Sequence, residues 1–137
     1  MAHWLIKSEP SAWSWDDQTR TDSEPWSGVR NHQAAKFLKG MRRGDTAFFY
    51  HSVEEKRIVG IVEVIREAYP DPTDAGGRWV AVDVRAVRPL RRPVTLADIK
   101  ADPRLADLPL IRQSRLSVMP IDHESWALLC RLGGVAA

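Results

Sequence analysis

The chain holds one cysteine, Cys130, so it can form no internal disulfide and no cysteine-rich zinc site. No apolar run reaches the roughly 18 residues that span a bilayer. The opening MAHWLIKSEP lacks the positive start, apolar stretch and small-residue cleavage site of a secretory signal. A cytoplasmic protein with no membrane contact is the expectation. Charge of one sign is scarce too: 20 basic against 18 acidic residues leave +2, too little for a general attraction to polyanions. If a nucleic acid is the partner, a local site must do the recognising. No glycine-rich phosphate loop follows a strand, which disfavours the doubly wound nucleotide folds. His3, His32, His51 and His123 are scattered with no H-x-x-x-H pair, so no metal site is expected, and no motif asks for a cofactor. No serine sits in a G-x-S-x-G elbow and Cys130 falls mid-helix on an apolar face, so the chain reads as a non-enzyme.

What remains describes one domain. At 137 residues, 44% hydrophobic and 28% charged, the chain can bury about two thirds of its surface without staples. A single unit over residues 1–137 is expected, its core spanning about 3–132, monomeric by default. His3 to Ser8 reads as a first strand closed by Pro10, and Ser11 to Pro25 as a loop with a helical turn at Ser14 to Asp17. Asn31 is a fitting N-cap for a helix that Gly40 ends. Thr46 to His51 and Arg57 to Tyr69 read as strands, with Gly60 marking a bulge or bend. Pro70 to Gly77 is a turn, and Trp79 to Val87 alternates as a strand. Thr95 to Asp98 resembles a capping box. Leu110 to Met119 is expected to carry one or two short strands, and Asp122 to cap a last helix. The fold class is α+β: about five to six mostly antiparallel strands in a small bent β-barrel, flanked by short helices.

Six tryptophans are many for this length, and four of them precede residue 27. Trp4 alternates with Ile6 and belongs in the core. Trp13 and Trp15 can cover the barrel end. Trp26 points instead to a pocket, because Gly28 beside it permits close approach. The segments KSEP, WSGVRN, FFYHS and QSRLSVMP each join aromatic or apolar residues to polar ones at strand ends and loop-to-helix junctions, where side chains converge. A flat heterocycle needs a π-face, which Trp26 or Tyr50 offers. Its edge needs donors and acceptors: Asn31, Ser8, Ser52 and Ser117 supply both, and Glu9 accepts. A phosphate alongside needs cations, and Lys7, Arg30 and Arg115 qualify. The run Arg85, Arg88, Arg91, Arg92 is the strongest basic patch, either a solvated face or a track for phosphates.

Taken in order, WLIKSEP, WSGVRNHQA, GDTAFFYHS, VGIVEVIREAYPDPT, RWVAVDVRAVRPLRRPVTL and RLSVMP resemble the EVE domain family over nearly the whole chain, about Trp4 to Leu132. The resemblance implies a PUA-like fold related to RNA-binding domains and to readers of modified bases. It also implies a central pocket for a base turned out of its stack, 5-methylcytosine and its oxidised forms in DNA being the ligands proposed for the family. The matching pocket wall would be Ser8 and Glu9, Trp26 with Val29 to Asn31, Tyr50, His51 and Ser52, and Arg115 with Ser117. The alternative is a PUA-type module that binds RNA or a modified RNA base, with the Arg85 to Arg92 stripe along the backbone. In one respect the chain departs from many relatives: only Asp74 to Gly77 separates YPDPT from RW, where they carry a longer insertion.

Overall fold

A computed structural model describes residues 1–137 and places twelve short elements around one sheet. Strand β1 (His3–Ser8) is followed by α1 (Trp15–Thr19), β2 (Glu24–Trp26) and α2 (His32–Gly40). Next come β3 (Thr46–His51), β4 (Arg57–Pro70) and β5 (Val80–Thr95). Helix α3 (Leu96–Ala101), a 3-10 turn (Pro103–Leu105), α4 (Pro109–Arg112), β6 (Val118–Ile121) and α5 (His123–Leu132) complete the chain. No helix is long and apolar enough to cross a membrane.

Local chemistry accounts for the helix starts. Ser14 and Asp17 exchange hydrogen bonds across the first turn of α1, and Thr95 and Asp98 do the same for α3. Asn31 caps α2 by accepting from the Ala34 N–H, and Asp122 caps α5 by accepting from Ser125. Each cap satisfies a donor that the helix itself leaves unpaired.

The sheet runs β2-β5-β4-β3-β1-β6. All its pairings are antiparallel except β1 with β3, which the intervening α1, β2 and α2 allow to run parallel. The class is α+β as expected, but the ladder leaves β2 and β6 at opposite edges and does not close into the expected barrel. Each edge strand is short and carries a proline, Pro25 or Pro120, which has no N–H with which to extend a ladder. The sheet bends instead through register shifts between β4 and β5, one of them at Ile58/Gly60. Gly60 is needed there: a Cβ would lie 2.5 Å from the Trp15 ring.

Three further expectations change. Glu24–Trp26, whose first two residues fall in the expected loop, pairs with β5 as strand β2. Strand β5 runs on to Thr95, beyond Val87, because Pro89 and Pro93 fall past the stretch that pairs with β2 and need no donor on that side. Residues Pro109–Arg112 form α4 rather than a strand, with Pro109 preset for the first helical turn. The core lies between the sheet and α2 and α5. Phe48, Phe49, Leu5, Leu38 and Leu129 are among its largest sealed members, and Trp4 joins it with its indole N–H on Asp45 at 3.0 Å.

Candidate functional site

Strand β1 ends beside β3, with Lys7 opposite Tyr50 and Ser8 opposite His51. Side chains alternate faces along a strand, so neighbours in this pair are sent to opposite sides. Ser8 and Glu9 border a cavity of about 580 Å³ that also receives Trp26, Val29, Arg30 and Asn31 from the β2–α2 connection and Ser117 from the approach to β6. Tyr50 and Ser52 border a separate cavity of about 530 Å³, together with Arg115. Lys7 and Ser117 line both and form the ridge between them, joined by a 2.9 Å bond from the Lys7 N–H to the Ser117 carbonyl.

The first cavity lies in the size range of small-ligand sites. Trp26 is 8% exposed and meets the Phe49 ring edge-on at 5.5 Å, so it is part of the core and of the cavity floor at once. Its indole N–H meets no acceptor in the chain, yet no polar side-chain atom is sealed without a partner, so that N–H is open to solvent. A second indole lines the same cavity: Trp13, whose Nε1–H donates to Gln18 at 2.9 Å. Gln18 is fully buried and is itself tied to the Val84 carbonyl of β5. Tyr50, the other π-face expected beside Trp26, borders the second cavity instead, and Trp13 stands with Trp26 on the first. Only local composition marked Trp13, because its place depends on a buried amide from α1.

The cavity wall is held by a residue that sequence reasoning missed. Asp71, at the end of β4, is 1% exposed and accepts from the Gly28 N–H at 2.7 Å, Arg30 at 3.0 Å, and both the N–H and the hydroxyl of Thr73 at 2.7 Å. Burial opposes ionisation of this carboxyl, but the bonds from Thr73, Gly28 and Arg30 outweigh it and hold the group well below the usual carboxylate range. Gly28 sits at φ +80, the left-handed region that lets its N–H turn toward Asp71. The PDPT context of Asp71 shows a turn in sequence, but not the 43-residue reach to Gly28.

Other expected residues are already occupied. The Arg30 guanidinium is turned to Asp71 and Thr73, where it buttresses the wall. Asn31 spends its side-chain oxygen on the helix cap and keeps its amide N–H groups. The Ser8 hydroxyl donates to the Trp13 carbonyl, and Glu9 accepts from Ser11 at 3.0 Å. Lys7 donates to the Ser114 carbonyl at 3.0 Å, and burial pushes its ammonium's pKa down.

His51 lines neither cavity. Its Nε2 accepts from the Trp15 N–H at 3.0 Å, which leaves Nδ1 to donate to Glu55 at 2.8 Å; one nitrogen seats α1 on the sheet and the other ties down the β3–β4 turn. Arg85, Arg88, Arg91 and Arg92 border neither cavity either. Arg85 pairs with Glu63, Arg88 donates to the Ala136 carbonyl, and Arg91 and Arg92 pack along Gly133 and Gly134. The strand that carries them turns this run toward the C-terminal segment. A further hollow of about 530 Å³ beside α5 is lined by intermixed acids and arginines and contains none of the expected residues.

The family model for the EVE domain matches residues 2–132. The chain belongs to the EVE domain family. Among solved EVE-like structures, Rpa0253 from Rhodopseudomonas palustris is 60% identical, with a TM-score of 0.93 over 98% of this chain and 94% of that one. Thymocyte nuclear protein 1 from Gallus gallus is 37% identical over 95% of this chain and 68% of its own length. Human THYN1, solved in complex with 5-methylcytosine-containing DNA, is 31% identical with a TM-score of 0.90, and each chain is covered in full. The Gallus gallus alignment spans 164 positions, more than this EVE chain's 137 residues, so that relative carries inserted segments.

Proposed function

We propose that this EVE domain is a non-catalytic reader of nucleic acid that takes one modified base, a 5-methylcytosine or an oxidised derivative in DNA, into the cavity between Trp13 and Trp26. The observation that carries the reading is the cavity itself: Trp13, Trp26, Glu9 and Asn31, whose amide N–H groups are free, all line it, in a chain that matches a relative solved with such DNA end to end. Stacking on an aromatic contributes about 1–3 kcal/mol per base. Turning a base out of a duplex costs a few kcal/mol, least where pairing is already weak. Affinity should therefore be modest unless the strand is held at a second place. The apolar Val29 on the wall suits a methyl group, while Asn31 and Glu9 offer a donor and an acceptor for the base edge.

The test is tryptophan-fluorescence titration with matched oligonucleotides, DNA and RNA, modified and unmodified. Alanine variants confound it: Trp26→Ala would open the core at a cost of about 3–5 kcal/mol, and Asn31→Ala would remove a helix cap worth about 0.5–2 kcal/mol. Trp26→Phe keeps the packing on Phe49, and Asn31→Ser keeps the cap while removing the amide. Each should weaken binding of the modified DNA about tenfold, the worth of roughly 1.4 kcal/mol within the range of one unmade polar or stacking contact. Parental affinity in both folded variants would overturn the site. Tighter binding of the RNA partner would turn the reading to an RNA module.

A further inference from the structure

Across the Lys7–Ser117 ridge, the second cavity has a lining of one charge sign. Lys7, Lys56, Lys100 and Arg115 border it and no carboxylate does. All the chain's ion pairs form elsewhere, and none includes any of these four. Three of the chain's five lysines are thus gathered without a counter-charge, an arrangement that an anion relieves. Tyr50, Ser52 and Ser117 line the same hollow, and none of their hydroxyls is bonded within the chain.

Backbone features place the cations there. The β3–β4 turn holds two residues in the left-handed region, Val53 at φ 72 and Lys56 at φ 51, and for a β-branched residue such as Val53 that conformation is strained. The Lys56 carbonyl accepts from the Leu96 N–H at 2.8 Å, tying this turn to the start of α3. Lys100 follows Leu96 by four residues, hence on the same helix face. The Lys7 ammonium is anchored on Ser114, next to Arg115.

We propose that this cavity is a phosphate site, taking a backbone phosphodiester of the strand whose base occupies the neighbouring cavity. The proposal rests on the reading above for the presence of a strand, and the shared Lys7–Ser117 ridge sets the two sites side by side. It supplies the second hold that a caged base alone lacks, through Lys56 and Lys100 in addition to Lys7 and Arg115.

The experiment compares the folded double variant Lys56→Gln/Lys100→Gln with a control of equal charge change, Lys36→Gln/Lys39→Gln on the exposed side of α2, each checked by urea unfolding. Affinity for modified and unmodified single-stranded oligonucleotides is measured between 50 and 200 mM salt. With one phosphodiester held there, the slope of log K against log salt falls by about 0.7, and affinity at 0.15 M salt falls about fourfold, for both oligonucleotides alike. The control pair should change both by much less. A cavity variant with the parental slope, or one no weaker than the control, overturns the proposal. With pyrophosphate titrated in parallel, loss of its binding in the cavity variant with no effect on the oligonucleotides also overturns the proposal and makes the hollow a free-anion site. Should the parent bind modified and unmodified strands equally while the cavity variant still flattens the slope, the base reading falls and the phosphate site stands.

Discussion

Replacing Asp71 by Asn tests whether one buried carboxylate holds the wall of the base cavity. Its two oxygens divide the work: Oδ1 accepts from the N–H and hydroxyl of Thr73, and Oδ2 accepts from the Gly28 N–H and from Arg30. An amide retains one acceptor. With that oxygen kept in the local turn by Thr73, the new NH2 faces two donors, and Gly28 and Arg30 are released. Hydrogen bonds to a charged group contribute about 1.5–3 kcal/mol each. The Arg30 side chain is 40% exposed and regains water, so the net loss should be about 2–4 kcal/mol. For a chain of this size that corresponds to a fall in Tm of roughly 8–16 °C. Thermal unfolding followed by circular dichroism reads it directly.

The pH dependence gives the second half of this test. The folded carboxyl titrates well below its ordinary value of 3.8, so its stabilisation is complete above that value and is lost as pH falls toward the folded pKa. The gap between parent and Asp71→Asn should be constant from pH 5 to 8 and should narrow below about pH 3.8. A variant within about 0.5 kcal/mol of the parent, the ordinary range for inconsequential substitutions, would refute the reasoning. So would a gap that does not narrow in acid. Because Gly28 to Arg30 form the cavity wall, binding of the modified oligonucleotide should weaken with stability.

Gly60→Ala forces a Cβ to 2.5 Å from the ring carbons of Trp15, and since that indole is itself packed edge-on against Phe49, overpacking should cost about 1–3 kcal/mol; urea unfolding checks it. Cys130 is fully buried and burial pushes its thiol pKa up, so a maleimide should label the folded chain only as fast as it unfolds. Rapid stoichiometric labelling of native protein would contradict that placement.

Residues that act through their nearest neighbours were legible in the sequence. Ser14, Asn31, Thr95 and Asp122 cap helices by reaching three residues along, Gly60 announces its bulge, and the polar and aromatic segments that meet at the cavity stand at strand ends as expected. Distant partners escaped that reading. Asp71 looked like an ordinary turn residue and His51 like a pocket wall, because their partners lie 43 and 36 residues away, and Trp13 looked like a cover because the Gln18 that holds it is itself anchored 66 residues away on Val84.

Composition and short-range pattern settled that this chain makes an α+β domain rich in recognition chemistry. Tertiary structure alone decided that Ser8 and Tyr50 face different hollows, since the parallel register of β1 on β3 assigns alternate side chains to opposite faces. It also decided that the lysines of a turn, a helix and a strand end gather without a carboxylate, a juxtaposition that no spacing along the chain encodes.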